Sequence, residues 1–399
     1  MKIGVVSAHY LPEIGYQEVH LARAYARLGH TVKVFTTTTG IDLGGKVGKQ
    51  SYPSGLSKDA NYGHEVLRLP SYSYKSKAYS SKLKRAVNDF APDVLIILGV
   101  AKVFPMSLLS SKLAKKTKIV TLYGDAGEYL ERNTVSQKVK AFMHETGYTL
   151  IKKPLYLKAI KHGDLVVLNT PETHDYFLSF VPPSLRQTYE SKKLLLNLGF
   201  DPDEYFFDRT TRTEKRKELG IKDDEIVLMT STRINKRKNL EKVIELISSL
   251  RKQGKKLKYI LVGFLGDAYE KELKAFIQSQ ADPGAFICYP FLSSKDIQKL
   301  YCAADAGIWL KAAISIQEAM GTGLPIILEN KPVVNHLLQP GHNGWFYEKN
   351  TFNETIQNAV QQLSNQQTNR EQLARENASW LSYDAIGAKI ISSLHIPNS

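Results

Sequence analysis

The sequence predicts an α/β protein made of two doubly wound domains. Short, continuously apolar segments alternate with segments of helical period along almost the whole chain. Continuous apolarity marks strands covered on both faces of a parallel sheet. The chain also has 399 residues, more than a single core usually accommodates.

The elements follow in order. KIGVVSAHY is a strand, and EVHLARAYARLGH then sets Leu21, Ala24, Tyr25 and Leu28 at helical spacing. Gly29 stands where a glycine ends a helix. TVKVFTT closes a βαβ unit, which implies a parallel pair. DVLIILGV (93–100), KIVTLYG (118–124), DLVVLNT (164–170) and LLLNLG (194–199) are further strands. The polar, charged stretch 201–225 reads as the connection between domains. A second series follows, with strands IVLMTST, KLKYILVG, AFICYP, AGIWL and LPIILE. Between them, NLEKVIELISSL has Asn239 as the expected N-cap and Leu240, Val243, Ile244, Ile247 and Leu250 on one face. KDIQKLYCAAD (295–305) is another helix, with Ser293 or Ser294 as its cap, and YDAIGAKIISSLHI is the last. The expected domains are 1–200 and 201–380, with 381–399 packing back on the first.

Composition narrows the function. No apolar run reaches the ~18–20 residues of a membrane span, and the N-terminus reads as a strand rather than a signal peptide. A cytoplasmic location, peripheral at the inner face of the membrane, is the expectation. Cys288 and Cys302 set no disulfide framework, and no Cys/His cluster has zinc spacing, so no metal site is expected. The net charge of +15 is uneven: residues 1–200 hold 28 Lys and Arg against 15 Asp and Glu, while 201–399 hold 26 against 24. The first half therefore suits an anionic partner. The segment 136–164 interleaves Lys138, Lys140, Lys152, Lys153, Lys158 and Lys161 with Phe142, Leu150, Ile151, Leu155, Tyr156 and Ile160. That is either an interfacial amphipathic segment at an anionic membrane or a helix with its apolar side in the core. No nucleic-acid motif accompanies the charge, so nucleic acid is not an expected partner.

Several loops could carry chemistry. The first βα turn, SAHYLPEIGYQE, lacks G-x-G-x-x-G but has Gly15 beside a helix start, either a plain turn or a place for an anion. TSTRINKRKN follows the first strand of the second domain. Its Arg233 and Lys238 either neutralise a diphosphate or belong to a solvated loop. Gly263 follows a strand in VGFLGDAYEKELKAFI, and Leu292 follows the next strand, in CYPFLSSKD. In ISIQEAMGTGLPIIL, Ser315 and Glu318 match a capping box, while the rival reading gives Glu318 the two vicinal hydroxyls of a ribose.

Together these pieces resemble a retaining glycosyltransferase of the GT-B type, in the "glycosyl transferases group 1" family. YLPEIGYQEVHLARAYARLGHTVKVFT resembles the family's first βαβ unit. Arg233 and Lys238 fall at its Arg-x4-Lys, and QEAMGTGLPII matches its E-A-M-x-x-G-x-P-V-I run. The resemblance implies two Rossmann-like domains facing an interdomain cleft. It implies an enzyme that moves a hexose-type sugar from a nucleotide-diphosphate donor, a UDP- or GDP-sugar, to a glycan or lipid-linked acceptor. Anomeric configuration is retained, with no metal and no further cofactor. Donor contacts would come from Gly15, Tyr16, Arg233, Lys238, Gly263, Leu292, Ala313, Ile314, Ser315 and Glu318. Acceptor contacts would come from Tyr16, Gln17, Tyr123 and Asp125, and the catalytic set would be Asp125, Arg233 and Lys238. The chain departs from the family at Leu310, where an earlier Glu is usual, and at Tyr16, where a second glycine is usual. The family's histidine after the fourth strand is also missing, with Tyr123 and Asp125 nearby instead. The alternative function is a basic, nucleic-acid- or membrane-binding scaffold of the same fold without transferase activity.

Overall fold

The computed structural model describes residues 1–13, 15–41, 47–74, 77–99, 103–109, 117–124, 135–136, 139, 146, 150, 152–365 and 368–394. The chain divides into two compact units: Met1–Leu198 with Tyr383–Ser399, and Gly199–Ser382.

In the first unit, β1 (Lys2–Val6) leads to α1 (Gln17–Arg27) and β2 (Thr31–Thr37). Short strands β3 (Thr39–Ile41), β4 (Val47–Ser51) and β5 (Gly55–Lys58) precede β6 (Glu65–Leu69). The hairpin β7 (Tyr72–Tyr74) and β8 (Lys77–Tyr79) comes next, then α2 (Leu83–Phe90), β9 (Val94–Leu98), α3 (Val103–Met106) and β10 (Lys118–Tyr123). The series ends with α4 (Lys153–His162), β11 (Leu165–Leu168), α5 (Pro171–Leu178), α6 (Pro183–Lys192) and β12 (Lys193–Leu195). The main sheet has the order β12-β11-β10-β9-β1-β2-β6-β5. It is parallel except for β5, which runs antiparallel to β6. Successive strand residues serve opposite faces. Leu95 and Ile97 join Phe35, Tyr123, Tyr156 and Phe177 in one core. Val94, Ile96 and Leu98 join Val34, Tyr25 and the C-terminal helix in the other.

The second unit starts with α7 (Arg209–Glu218) and β13 (Ile226–Ser231), followed by α8 (Glu241–Lys252), β14 (Leu257–Phe264), α9 (Ala268–Gln278) and β15 (Phe286–Pro290). Next come α10 (Ser294–Ala303), β16 (Ala306–Trp309), α11 (Ser315–Gly321), β17 (Ile326–Glu329) and β18 (Gly344–Tyr347). Helices α12 (Phe352–Asn365) and α13 (Arg370–Leu381) complete it. All six strands are parallel, in the order β15-β14-β13-β16-β17-β18. The last helix, α14 (Tyr383–Ser392), lies on α1 in the first unit. Arg27 grips Asp384 with Nη2 at 2.7 Å and Nε at 2.9 Å from Oδ1.

Two local expectations are corrected. The stretch 201–225 is not a connection but part of the second unit, because its charges have distant partners. Arg212 and Arg216 of α7 reach the two carboxylate oxygens of Asp305 at 2.6 and 3.1 Å, and both also donate to the carbonyl of Ala303 at the end of α10. Asn239 is not the cap of α8. It is left-handed, with φ of 49°, and closes the 3-10 turn Lys236–Lys238; Leu240 takes the N-cap position without a side-chain bond.

Arg370, at the start of α13, ties three helices together. Its buried guanidinium donates to Ala304 O at 2.8 Å and Tyr301 O at 3.0 Å, at the end of α10. It also donates to Thr322 O at 2.9 Å, at the end of α11. Phe207 stacks 4.8 Å from the guanidinium carbon. The approach is close enough to need glycine: Gly323 has φ of +66°, and a Cβ there would overlap the Arg370 carbonyl oxygen. Gly323→Ala should therefore destabilise the protein by about 2–4 kcal/mol, the sum of left-handed strain and overpacking. Urea unfolding measures it, and an unchanged midpoint would contradict the packing.

Candidate functional site

In the second unit, the loops leaving the carboxyl ends of β13 and β16 carry the polar residues, where ligands bind in open parallel sheets. The loop after β13 is held from below. Thr232 N donates to Val262 O at 3.1 Å, Ile234 N to Gly263 O at 3.4 Å, and the Ile234 side chain is fully buried. Arg233, between these anchors, is exposed. Gly263 makes the arrangement possible: its φ is +120°, and a Cβ would overlap the Thr232 carbonyl oxygen. Asn235 caps the next turn by accepting from Arg237 N at 3.1 Å. Lys238 then extends its Nζ to the carbonyl of Ala312, 3.1 Å away, on the loop between β16 and α11. Partial burial, and then the charge of Lys311, hold the Lys238 ammonium below its usual pKa. Two cations thus face each other across loops from adjacent strands.

Residues 310–314 connect β16 to α11. Leu310 points into the core, 7 % exposed, so the place where the family the sequence resembles usually has an earlier acid is filled by packing. Lys311, Ala312 and Ile314 are exposed, and Ala313 is half-buried. The amides of Ile316 and Gln317 donate to Ala313 O and Ile314 O at 3.2 and 3.0 Å. Ser315 is not a capping residue: Ile314 is the N-cap and has no side-chain bond. The Ser315 hydroxyl is spent instead on Ser231 O, at 2.5 Å, and accepts from Trp309 Nε1 at 3.2 Å. This fastens the start of α11 to the end of β13. The capping-box reading of Ser315 and Glu318 therefore fails in its first half. Glu318 is half-buried one turn later, and the Tyr301 hydroxyl is 3.5 Å from its Oε2. Leu292 is half-buried after β15, and Ser293 caps α10 by accepting from Asp296 N at 3.2 Å.

In the first unit, Gly15, Tyr16 and Gln17 gather at the start of α1. Gly15 is left-handed with φ of +70°, and its amide donates to Leu11 O at 3.2 Å. Tyr16 is the N-cap and is 41 % exposed. Gln17 exchanges side-chain amide bonds with Asn169, at 3.3 and 3.4 Å, just beyond β11. Asn169 also packs where a Cβ on Gly124 would lie, 2.8 Å from its Nδ2. Sequence reasoning missed Asn169, for nothing local distinguishes it from a turn residue. It likewise missed Tyr301, which reads as one more apolar position of α10.

Tyr123 needs correction as an acceptor contact. It is 1 % exposed, with its ring edge-on to Tyr156 at 4.7 Å and to Phe177 at 4.9 Å between centroids. Asp125 lies outside the described residues. Most of 136–152 does too, although Val135, Val139 and Leu150 are exposed. Helix α4 spends its apolar side on its own domain, with Tyr156, Ala159 and Ile160 buried in the core and Leu155 packed against it. That part of the proposed interfacial segment is a core helix with a solvated lysine side. No helix among the described residues is long and apolar enough to cross a membrane.

The two α/β units, with polar loops at the carboxyl ends of their strands, have the two-Rossmann-domain architecture of the GT-B fold. Residues 211–380 match the family described as Glycosyl transferases group 1. The match lies within the second unit, Gly199–Ser382. It is 23 % identical over 369 residues to an alpha-monoglucosyldiacylglycerol synthase of Acholeplasma laidlawii, covering 88 % of this chain and 85 % of the relative. Among solved structures, sucrose-phosphate synthase from Thermosynechococcus elongatus superposes with a TM-score of 0.68 at 14 % identity, over 98 % of this chain and 97 % of that one. Anabaena HepE in complex with UDP-glucose gives 0.64 at 16 % identity, over 98 % and 100 %.

The depressed Lys238 gives a pH signature if it pairs with a nucleotide diphosphate. Protonated Lys238 supplies the charge, so nucleotide affinity should fall as pH rises toward its lowered pKa. Lys238→Met should bind more weakly and lose most of that dependence. Calorimetric titration across pH 7 to about 10 checks it, and an unchanged slope in the variant would remove Lys238 from the diphosphate site.

Proposed function

We propose that the protein transfers a hexose-type sugar from a nucleotide-diphosphate sugar to a glycan or lipid-linked acceptor, with retention of configuration and without a metal. The observation that carries this reading is that Arg233 and Lys238, on the loop after β13, and Glu318, in the first turn of α11, belong to segments of one domain that Lys238 on Ala312 O and Ser315 on Ser231 O tie together. The cations suit the diphosphate, and the half-buried carboxylate suits a ribose diol. UDP is the first candidate base-bearing group, since HepE is solved with UDP-glucose, and GDP is the second. Leu292 and Gly263 border the same sheet edge. The backbone at Ala313, Ile314 and Ser315 would meet sugar hydroxyls, because Leu310 offers no acid there.

In the transfer, the bond from the anomeric carbon to the diphosphate oxygen breaks. The acceptor oxygen bonds to that carbon on the same face, and the acceptor proton passes to the departing phosphate oxygen. Arg233 and Lys238 stabilise the charge that builds on the leaving group, as preorganised cations do. They supply in protein form the positive charge that a metal gives other transferases. Tyr16, Gln17 and Asp125 would hold the acceptor, which the first domain, with its +13 over residues 1–200, suits if the acceptor or its membrane is anionic. Two relatives named alpha-monoglucosyldiacylglycerol synthase support a lipid acceptor. Exposed Val135, Val139 and Leu150 support contact with the bilayer.

A thermal-shift screen of UDP-, GDP-, ADP- and CMP-sugars should show one stabilising nucleotide, since binding raises the melting temperature by mass action. Glu318→Gln should weaken that donor by ~1–3 kcal/mol, the scale of a charge-assisted hydrogen bond. Unchanged affinity with a lower melting temperature would reduce Glu318 to a helix residue. Arg233→Ala should lower turnover by about 100-fold or more, by analogy with loss of one transition-state donor. Full activity in that variant would refute its role.

A further inference from the structure

A cavity of about 260 Å³ opens in the second domain at the amino ends of β17 and β18. Pro325, just ahead of β17, and Gly344, the first residue of β18, both line it. It therefore lies at the opposite end of the sheet from Arg233 and Lys238, whose loop leaves the carboxyl end of β13. The more buried part of its lining is apolar: Leu373 is 5 % exposed, and Trp345 is half-buried. The more exposed part is polar, with His342, Gln362, Thr368 and Gln372. Among the described residues, no lysine, arginine, aspartate or glutamate lines it, although the chain carries a net charge of +15.

The walls are fixed before any ligand arrives. Asn343 holds the turn ahead of β18, accepting from Gln339 N at 2.8 Å and donating to Leu337 O at 3.1 Å. Buried Arg370 anchors the first turn of α13. Glu376, outside the lining, accepts from Gln372 Nε2 at 2.8 Å on one oxygen and bonds His342 Nε2 at 2.7 Å on the other. A protonated His342 is thus matched by a carboxylate. The Trp345 indole donates to Gln362 Oε1 at 2.8 Å. Gln362 Nε2 and the Thr368 hydroxyl keep no hydrogen-bond partner among the described residues. Gln372 Oε1 accepts only from Asn369 Nδ2, at 3.3 Å, which leaves it a lone pair.

An indole beside uncharged donors and acceptors suits a neutral polyhydroxylated ring. A pyranose offers an apolar C–H face to the aromatic ring, and its hydroxyls both donate and accept. Small-molecule sites commonly combine apolar and aromatic lining with a few placed polar groups. A phosphate would meet no cation of the kind that binds it elsewhere. The start of α13 does not replace one, since Asn369 Oδ1 already takes the Gln372 amide at 3.1 Å and Thr368 O takes that of Arg370 at 2.9 Å.

We infer that this cavity is a saccharide-binding site, separate from the transfer site, that takes one neutral pyranose of a glycan. It does not rest on the reading of Arg233, Lys238 and Glu318, because the two sites share no residue. Its role is to hold a glycan on the second domain, not to bind the donor.

The test is a titration of the full chain with methyl glycosides of glucose, galactose, mannose and N-acetylglucosamine. NMR follows the indole N–H signals of the three tryptophans. Trp345→Phe identifies the Trp345 signal, and so does its displacement in Gln362→Ala, which breaks the indole bond. At least one glycoside should move that signal with a Kd on the order of millimolar, the range of a ligand of about a dozen non-hydrogen atoms. The signal of buried Trp309 should stay in place. Gln362→Ala and Thr368→Ala should each weaken that glycoside about two- to tenfold, the scale of one neutral hydrogen bond. The inference is overturned if no glycoside moves the Trp345 signal, or if neither variant weakens binding. It is equally overturned if sodium phosphate moves the signal and the glycosides do not. A failure of nucleotide binding would count against the transfer site alone.

Discussion

Arg370 holds a charge inside the second domain with no acid among the described residues hydrogen-bonded to it. Isolated, a buried guanidinium would cost several kcal/mol. Here its donors meet the carbonyls of Tyr301, Ala304 and Thr322. Those carbonyls end α10 and α11, and helix ends carry partial negative charge. The cation thus answers two sets of orphan acceptors at once. Burial lowers its pKa to about 9, which still leaves it charged at neutral pH. Asn377, two turns along α13, adds a bond to Met320 O at 2.8 Å. Since α10 carries Tyr301 and α11 carries Glu318, the spacing of the site depends on a contact that forms no part of it. The small residues of GTG follow from the same approach: a Cβ on Gly321 would stand 2.5 Å from the Phe200 ring, and one on Gly323 would meet Arg370.

From that framework the site separates its charges. Cations come from the loop after β13 and from Lys311, while the carboxylate sits at the first turn of α11. Arg212 and Arg216 are withdrawn by Asp305, so they do not add to the field at the loops. On the proposed reading, the cations and the carboxylate divide the nucleotide between them, diphosphate to one side and ribose to the other. The hydrogen bond from Lys238 to Ala312 O links the two loops before any ligand arrives.

The fold was legible because its strands are buried on both faces and their apolar runs are therefore continuous. Arg233 and Lys238 were legible because they stand at the carboxyl end of a strand, where charge is worth noting. What failed has a common cause: a local pattern admits more than one partner. Asn239 favours both N-caps and the left-handed region, and the turn ahead of it took the second use. Ser315 and Glu318 fit a capping box, but β13 lay within reach of the serine. The charges of 201–225 resemble a linker until Asp305, about ninety residues away, is placed beside Arg212. Tyr123 is polar in sequence and aromatic in use, because Tyr156 and Phe177 surround it. Asn169 and Tyr301 carried no signal, since their partners are 152 and 17 residues distant.

Leu310 shows how packing can redirect recognition. An acid at that position would have to leave the core formed with Ile308, Leu228 and Tyr347, so the loop that follows is the part free to vary. It presents Lys311 and the backbone of 312–315 rather than a carboxylate. Backbone groups contact hydroxyls through fixed directions, with no side chain to reorient. On the proposed function, sugar selection here would depend on how the loop is held. That hold comes from Ser315 on Ser231 and from Lys238 on Ala312. Lys238, which would meet the diphosphate, would then also set the frame in which the sugar is read.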